Sequence, residues 1–188
     1  ITADIIDTSD TGNSQIDNLT NDSTPTITGV TDANSEVVIT NEDGVEVGSA
    51  ISDENGNYSI TTIELSEGSQ DLTITATDTT GNITSTTQSI EIDTQIDAPM
   101  IVNMVDTQGD MSEIIASGTG SEAGNLINLY NQNGNFVIST VVQEDGTWSA
   151  NIASLSNDTD FTITATETDS AGNESVASNE VNTYQSDS

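Results

Sequence analysis

Two stretches decide how this chain folds: "LTITATDTTGN" at residues 72–82 and "FTITATETDSAGN" at 161–173. In each, apolar residues alternate with threonine, and the run ends in an acid, a few small polar residues and Gly-Asn. Alternation with period two is the pattern of a strand buried on one face. Threonine suits the other face, because a β-branched side chain fits a pleated surface. The buried face would carry Leu72, Ile74 and Ala76 in the first run, and Phe161, Ile163 and Ala165 in the second. The glycine then marks a tight turn.

The match between these runs extends over the whole chain. Gly29 in "ITGVTDANSEV" corresponds to Gly118 in "ASGTGSEAGNL", and "DENGNYSI" at 53–60 to "QEDGTWSA" at 143–150, so that Tyr58 is the counterpart of Trp148. The separation is 89 residues at the glycines, 90 at the aromatics and 91 at the last turn, with two residues inserted in the second run. A period of this size means two copies of one domain. The expected domains are 1–94 and 95–188, joined near "DTQIDAP" at 93–99. In the first copy, "TPTITGV", "EVVIT", "VEVGSAI", "NYSITTIEL", "DLTITATD" and "STTQSIEI" read as successive strands. Asn55-Gly56 and Asp145-Gly146 read as hairpin turns needing positive φ. About seven short strands per unit, with turns every ten residues or so and no helical period, predict an all-β chain of two tandem immunoglobulin-like Greek-key sandwiches. Tyr58 and Trp148 are expected in the cores.

Charge is the extreme feature. The 188 residues hold 32 acids and no Lys, Arg or His. No side chain can form an ion pair with a carboxylate, so each one must be solvated, hydrogen-bonded or neutralised from outside. Such self-repulsion destabilises a compact state. High charge with low hydrophobicity is also the composition of disordered chains, but the repeated alternation argues for a fold. Oxygen donors without His or Cys select a hard cation, Ca2+ ahead of Mg2+. Without basic residues there is no means of holding phosphates, so nucleic acid is excluded as a partner, and an anionic membrane would repel the chain. No run is apolar enough for a transmembrane helix and no signal peptide opens the sequence, which therefore reads as a segment of a longer protein. With no Cys there are no disulfides, and bound metal could staple the domains instead.

Tracing the strands through such a sandwich brings three loops to the pole where the chain enters each domain. In the first copy these loops carry Asp32, Asp53 and Asp78; in the second, Glu122, Glu144 with Asp145, and Asp169. The linker adds Asp93 and Asp97. Several carboxylates plus carbonyls can supply the six to eight oxygens that Ca2+ takes. The competing reading is local, since Asp before Gly or Asn bonds the backbone two residues on and favours a turn for that reason alone. A second candidate site is the long leader of the first copy, with Asp10, Asp17, Asn18 and Asp22. Loops of that length usually have a reason to exist; the competing reading is a flexible, solvated loop.

Other motifs carry little. "DENGN" lacks the remainder of an EF-hand loop. The sequons at Asn18, Asn21, Asn57, Asn82, Asn157 and Asn173 follow from a composition rich in Asn, Ser and Thr. Without His no Ser-His-Asp triad exists, and the chain lacks the aromatic cluster that lines sugar clefts, which argues against a carboxylate-pair glycosidase. The chain is expected not to be an enzyme.

The stretches "SDTGNSQIDNLTNDSTPTITG" (9–29), "DENGNYS" (53–59), "ITATDTTGN" (74–82), "EDGTWSANI" (144–152) and "ITATETDSAGN" (163–173) resemble the bacterial immunoglobulin-like domains of giant repetitive surface adhesins. The second copy departs from the pattern, with "VDTQGD" at 105–110 where the leader should be. The resemblance implies a type I-secreted, RTX-type adhesin of the bacterial cell surface, of the kind found in biofilms. Many such domains would form a stalk, stiffened by Ca2+ at or near the domain junctions. Expected partners are neighbouring repeats of the same chain, with host or abiotic surfaces reached through other domains; the segment itself should be a monomer. The alternative is a module that itself binds a glycan, a cell or another ligand. Ice binding would need a flat threonine array, and Thr73, Thr75 and Thr77 make only one short row.

Overall fold

The alternating runs become strands because each apolar face meets a second sheet. The computed structural model describes residues 1–107, 113–153 and 161–182. They fall into two compact units, Ile1–Gln95 and Ile96–Ser188. Both are all-β sandwiches. Gln108–Asp110 of the second leader and the sequon at Asn157 lie outside the described residues.

In unit 1 the strands are β1 (Asp4–Ile5), β2 (Leu19–Thr20), β3 (Thr26–Val30), β4 (Glu36–Thr40), β5 (Glu46–Ile51), β6 (Asn57–Thr61), β7 (Gly68–Thr77) and β8 (Ile83–Ile92). One sheet has the order β1-β3-β6 and the other β2-β8-β7-β4-β5. All pairings are antiparallel except β2 with β8, where Leu19 pairs Glu91 and Thr20 pairs Ile92. In unit 2 the strands are β9 (Met100–Asp106), β10 (Glu113–Thr119), β11 (Leu126–Asn131), β12 (Phe136–Val141), β13 (Thr147–Ala153), β14 (Thr162–Thr168) and β15 (Val181–Asn182). Its sheets run β13-β10-β9 and β12-β11-β14-β15.

The inward residues are those the alternation selects. Leu72, Ile74 and Ala76 are buried with Ile27, Val37, Ile39 and Ile92 between the sheets of unit 1. Phe161, Ile163 and Ala165 are buried with Ile114, Ile127, Leu129 and Trp148 in unit 2. Each of the Val, Leu, Ile and Phe side chains contributes roughly 1.5–3 kcal/mol when removed from water.

The glycines at 29 and 118 have a specific task. Gly29 pairs across the sheet with Tyr58, and Gly118 with Trp148. A Cβ on Gly29 would come 2.5 Å from the Tyr58 hydroxyl and would meet the Thr2 carbonyl; one on Gly118 would come 2.6 Å from Trp148 Cζ2 and would meet the Met100 carbonyl. The rings therefore occupy the space that a side chain at 29 or 118 would need. Tyr58 donates its hydroxyl to the Thr2 carbonyl at 2.5 Å, and burial pushes its pKa up to about 12.

One expectation is corrected. The turns at 53–57 and 143–147 have the expected positive φ at Gly56 and Gly146, but they do not close hairpins. They join β5 to β6 and β12 to β13, which lie in opposite sheets. The two inserted residues of the second copy leave the last turn unchanged. Asp78–Asn82 and Asp169–Asn173 close with the same hydrogen bonds. The insertion lies in the strand and shifts its register: Val37 pairs Ala76, whereas its counterpart Ile127 pairs Glu167.

Candidate functional site

One five-residue turn recurs six times among the described residues: Asn41–Val45, Asp53–Asn57, Asp78–Asn82, Asn131–Asn135, Gln143–Thr147 and Asp169–Asn173. In each, the first residue's N–H donates to the fifth residue's carbonyl, and the glycine N–H at the fourth place donates to the first residue's carbonyl. All six glycines have positive φ, the conformation that glycine adopts without penalty.

The first side chain holds the loop. Asp78 Oδ1 accepts from the N–H of Thr80 and of Asn82, both at 2.8 Å, and Asp78 Oδ2 accepts from Asn82 Nδ2 at 2.7 Å. Asp53 Oδ1 accepts from the N–H of Asn55 and of Asn57, both at 2.8 Å. Asp169 accepts from Asn173 N–H at 2.9 Å and from its amide at 2.8 Å. At 143–147 the first residue is Gln, and Asp145 bonds the Thr147 N–H instead, at 3.0 Å. These donors hold three carboxyls below the ordinary 3.8: Asp78 and Asp53 chiefly through the amides of Asn82 and Asn57, and Asp145 chiefly through the Thr147 hydroxyl.

The poles differ in the residue they use. The turns at 41–45 and 131–135 lie away from the end where the chain enters each unit, and both begin with Asn. Their Oδ1 atoms bond the same two N–H groups, from Asp43 and Val45 and from Asn133 and Asn135. The turns beginning with Asp, at 53, 78 and 169, all lie at the opposite, proximal pole. The turn therefore needs an acceptor and not a charge.

At the proximal pole of unit 1 the expected loops adjoin. Thr31 N–H donates to the Gly56 carbonyl at 2.9 Å, and Asn34 N–H to the Asp53 carbonyl at 3.4 Å. Asp32 and Asp78 line one cavity of roughly 60 Å3 with Thr31, Ser35, Ala76 and Thr84. The pole of unit 2 repeats the arrangement, with Gly120 N–H on the Gly146 carbonyl at 3.0 Å. There Asp169 is buried and Glu122 and Asp145 are exposed. Met100 pairs Thr119, so the segment carrying Asp97 enters unit 2 at this pole. Asp93 sits at the distal pole of unit 1, where its N–H donates to the Thr20 carbonyl at 2.9 Å. Among the described residues no three acidic side chains converge closely enough to hold a metal.

The leader packs at that same distal pole. Asp22 is committed to protein donors, Ser9 Oγ at 2.9 Å and Thr24 N–H at 2.9 Å. Asp17 is exposed and caps the Leu19 N–H at 3.2 Å. Asp10 is only 2 % exposed, and its Oδ1 has no hydrogen-bond partner. Asn18 Oδ1 is likewise buried without one. Nearby, Asn21, Ser23, Glu64, Glu67 and Thr94 line an open polar depression of roughly 660 Å3; it has no aromatic wall on which a sugar could stack.

Sequence reasoning missed Glu167. It is fully buried. Its carboxylate accepts from Ser121 N–H at 2.9 and 3.0 Å, Ser121 Oγ at 2.7 Å and Asn125 Nδ2 at 2.8 Å. A Cβ on Gly120 would lie 2.9 Å from Glu167 Oε2, so that glycine makes room for it. The signal was present, because Glu167 continues the inward phase of Phe161, Ile163 and Ala165.

Two sandwiches with this strand order define a tandem immunoglobulin-like protein. Residues 1–94 match the bacterial Ig-like domain family and residues 98–183 the bacterial Ig domain family, and the chain belongs to the bacterial immunoglobulin-like domains. No curated protein matches it in sequence. By structure it is similar to fibronectin(III)-like modules of Clostridium thermocellum CbhA, with 12 % identity, TM-score 0.51 and coverage of 97 % of this chain and 93 % of that one. It is also similar to domains A168–A170 of titin, with 13 % identity, TM-score 0.54 and coverage of 87 % and 59 %. A more distant likeness is to a Ca2+-stabilised adhesin with which an Antarctic bacterium binds ice, at 22 % identity, TM-score 0.44 and coverage of 97 % and 46 %. The chain spans 29 % to 61 % of the length of the first bacterial adhesin structures it matches.

Proposed function

We propose that the two units are consecutive extender modules of a large bacterial surface adhesin, and that Ca2+ stiffens the rod at the interdomain linker. The ligands would come from Asp32, Asp53 and Asp78 in unit 1, from Glu122, Asp145 and Asp169 in unit 2, and from Asp93 and Asp97 of the joining segment. One observation carries this reading. The same turn is built with neutral Asn at 41 and 131 and with Asp at 53, 78 and 169, so its backbone hydrogen bonds do not require the charge that gathers at the proximal poles. In a chain of 32 acids and no basic side chain, like charges a few ångströms apart repel by about 1–4 kcal/mol per pair at effective dielectrics between surface and bulk water. A divalent ion turns that repulsion into attraction and would tie the linker to the pole it reaches. The role is mechanical, with neighbouring repeats as the partners and the outer cell surface as the place.

The test is small-angle scattering and thermal melting of the chain in Ca2+ and in EDTA. Chelation is expected to lower the melting temperature and change the maximum dimension. If EDTA leaves both unchanged, the calcium-stiffened rod is wrong.

A further inference from the structure

We propose that the leader loop of unit 1 is itself a divalent-cation site, with Asp10 Oδ1 and Asn18 Oδ1 as ligands. The inference rests on the calcium reading above but uses none of the junction residues.

Two oxygens carry it. Asp10 Oδ1 and Asn18 Oδ1 are both closed off from solvent and both lack a donor. Buried acceptors almost always have a partner, and each exception needs an explanation. Here no side chain can provide a positive charge, because the chain has no Lys, Arg or His. The two residues meet at the neck of the loop, where the Asn18 N–H donates to the Asp10 carboxylate. Asn18 adopts φ 61°, a left-handed conformation that few side chains other than Asn and Asp accept. Asp17, Asp4 and Asp7 stand close enough to repel the Asp10 charge, and burial together with those neighbours raises its pKa above 3.8. The surroundings of Asp10 are thus electronegative, dehydrated and short of donors, which is an environment that a hard cation relieves.

The rest of the loop is already fixed by ordinary bonds. Ser9 bonds Asp22 at 2.9 Å, Thr20 Oγ1 donates to the Ser9 carbonyl, and Asn21 N–H donates to Thr11 Oγ1 at 2.8 Å. These contacts satisfy Asp22 and leave Asp10 unsatisfied. Ca2+ needs six to eight oxygens, and carbonyls, water and the exposed Asp7 or Asp17 would complete the set. Beside β2 and the end of β8, a bound ion would pin the leader where the chain leaves unit 1.

The experiment uses the full 188-residue chain, stripped of metal and titrated with Ca2+ by calorimetry, as wild type, Asp10→Asn and Asn18→Gly. Glycine at 18 keeps the backbone conformation and removes the amide oxygen. Asp10→Asn is expected to lose one equivalent of Ca2+, and Asn18→Gly to weaken that equivalent about tenfold. In EDTA, Asp10→Asn should melt no lower than wild type, because it removes a buried unpaired carboxylate. That result also shows that the variant folds. If both variants keep wild-type stoichiometry and affinity, and Ca2+ moves no amide resonance between residues 7 and 22, the leader site is refuted while the stiffened rod can stand. If Asp10→Asn loses its ion but scattering shows no response of wild type to Ca2+, the leader site holds and the junction reading falls. A wild-type chain that binds no Ca2+ overturns both.

Discussion

Unit 1 and unit 2 solve the same pole differently. In unit 1 the inward position beside the pole is Ala76, and a small cavity remains between Thr31, Ser35 and Asp78. In unit 2 the equivalent position is Glu167, facing Gly120 and Asn125. Thr31 and Gly120 are counterparts, because each bonds the carbonyl of its turn glycine. A small residue opposite a larger one has been exchanged for the reverse. Unit 2 buries a carboxylate among hydrogen-bond donors of one loop. A carboxylate can be buried when several donors point at it, two of them backbone or hydroxyl groups of one loop. Unit 1 has no such nest, and its acids stay at the surface or, at Asp10, lack a full set of partners.

The comparison breaks most visibly at Glu167. Glu167→Ala should leave the Ser121 and Asn125 donors unpaired around a void and destabilise unit 2 by about 2–4 kcal/mol. Urea unfolding followed by Trp148 fluorescence reads this directly, since Trp148 is the only tryptophan. Grafting the acid into unit 1 is the converse. Ala76→Glu should cost about 2–3 kcal/mol through overpacking and an unpaired charge. Adding Thr31→Gly and Ser35→Asn should recover part of that loss, read from the loss of unit 1 amide resonances as urea is raised. If the single and triple variants are equally stable, the nest does not explain the burial.

Smaller effects sharpen the same contrast. Gly29→Ala and Gly118→Ala should each destabilise their unit by about 1–3 kcal/mol, because the ring and a backbone carbonyl occupy the space of the new methyl. The larger loss should fall on Gly118, since Trp148 has less freedom to withdraw than the tip of Tyr58. Asp169→Ala removes a buried turn acceptor and should cost about 1 kcal/mol, by analogy with loss of a helix cap. Asp78→Ala, in an exposed turn, should cost less, and a thermal melt of each variant ranks them.

The smallest effect is in acid. Asp53, Asp78 and Asp145 have folded pKa values below the ordinary 3.8, so their contribution is present above that value and is lost as the pH falls through the folded ones. Asp10, raised above 3.8, acts in the opposite sense. Its contribution is present at low pH and is lost as the pH rises through its folded pKa. Carboxyl NMR titration in EDTA should find Asp78 ionised at a pH where Asp10 is neutral. The reverse order would contradict both environments.

Much of this fold was legible because a strand's alternation is local. Residues 72–77 and 161–166 announce their buried face without reference to anything else, and Gly81 and Gly172 announce their turns. β1 and β2 were not legible, being two residues each; β2 exists only because β8 lies alongside it. The turn at 53–57 reads locally as a hairpin, and nothing in five residues says that its two arms belong to different sheets. The sequence placed Asp32, Asp53 and Asp78 in loops that adjoin at one pole. It could not tell that Asp22 is satisfied by Ser9 and Thr24 while Asp10 is not.

The sequence by itself determined an all-β chain of two repeated domains, with its apolar faces and its reliance on something other than basic side chains to balance 32 carboxylates. Periodicity and composition are properties of the chain alone. Tertiary structure decided which acids share a pole, which are tied down by their own turns, and that a two-residue insertion brings Glu167 inward. Those outcomes depend on register between distant strands, where a shift of two residues keeps the buried face and changes every neighbour.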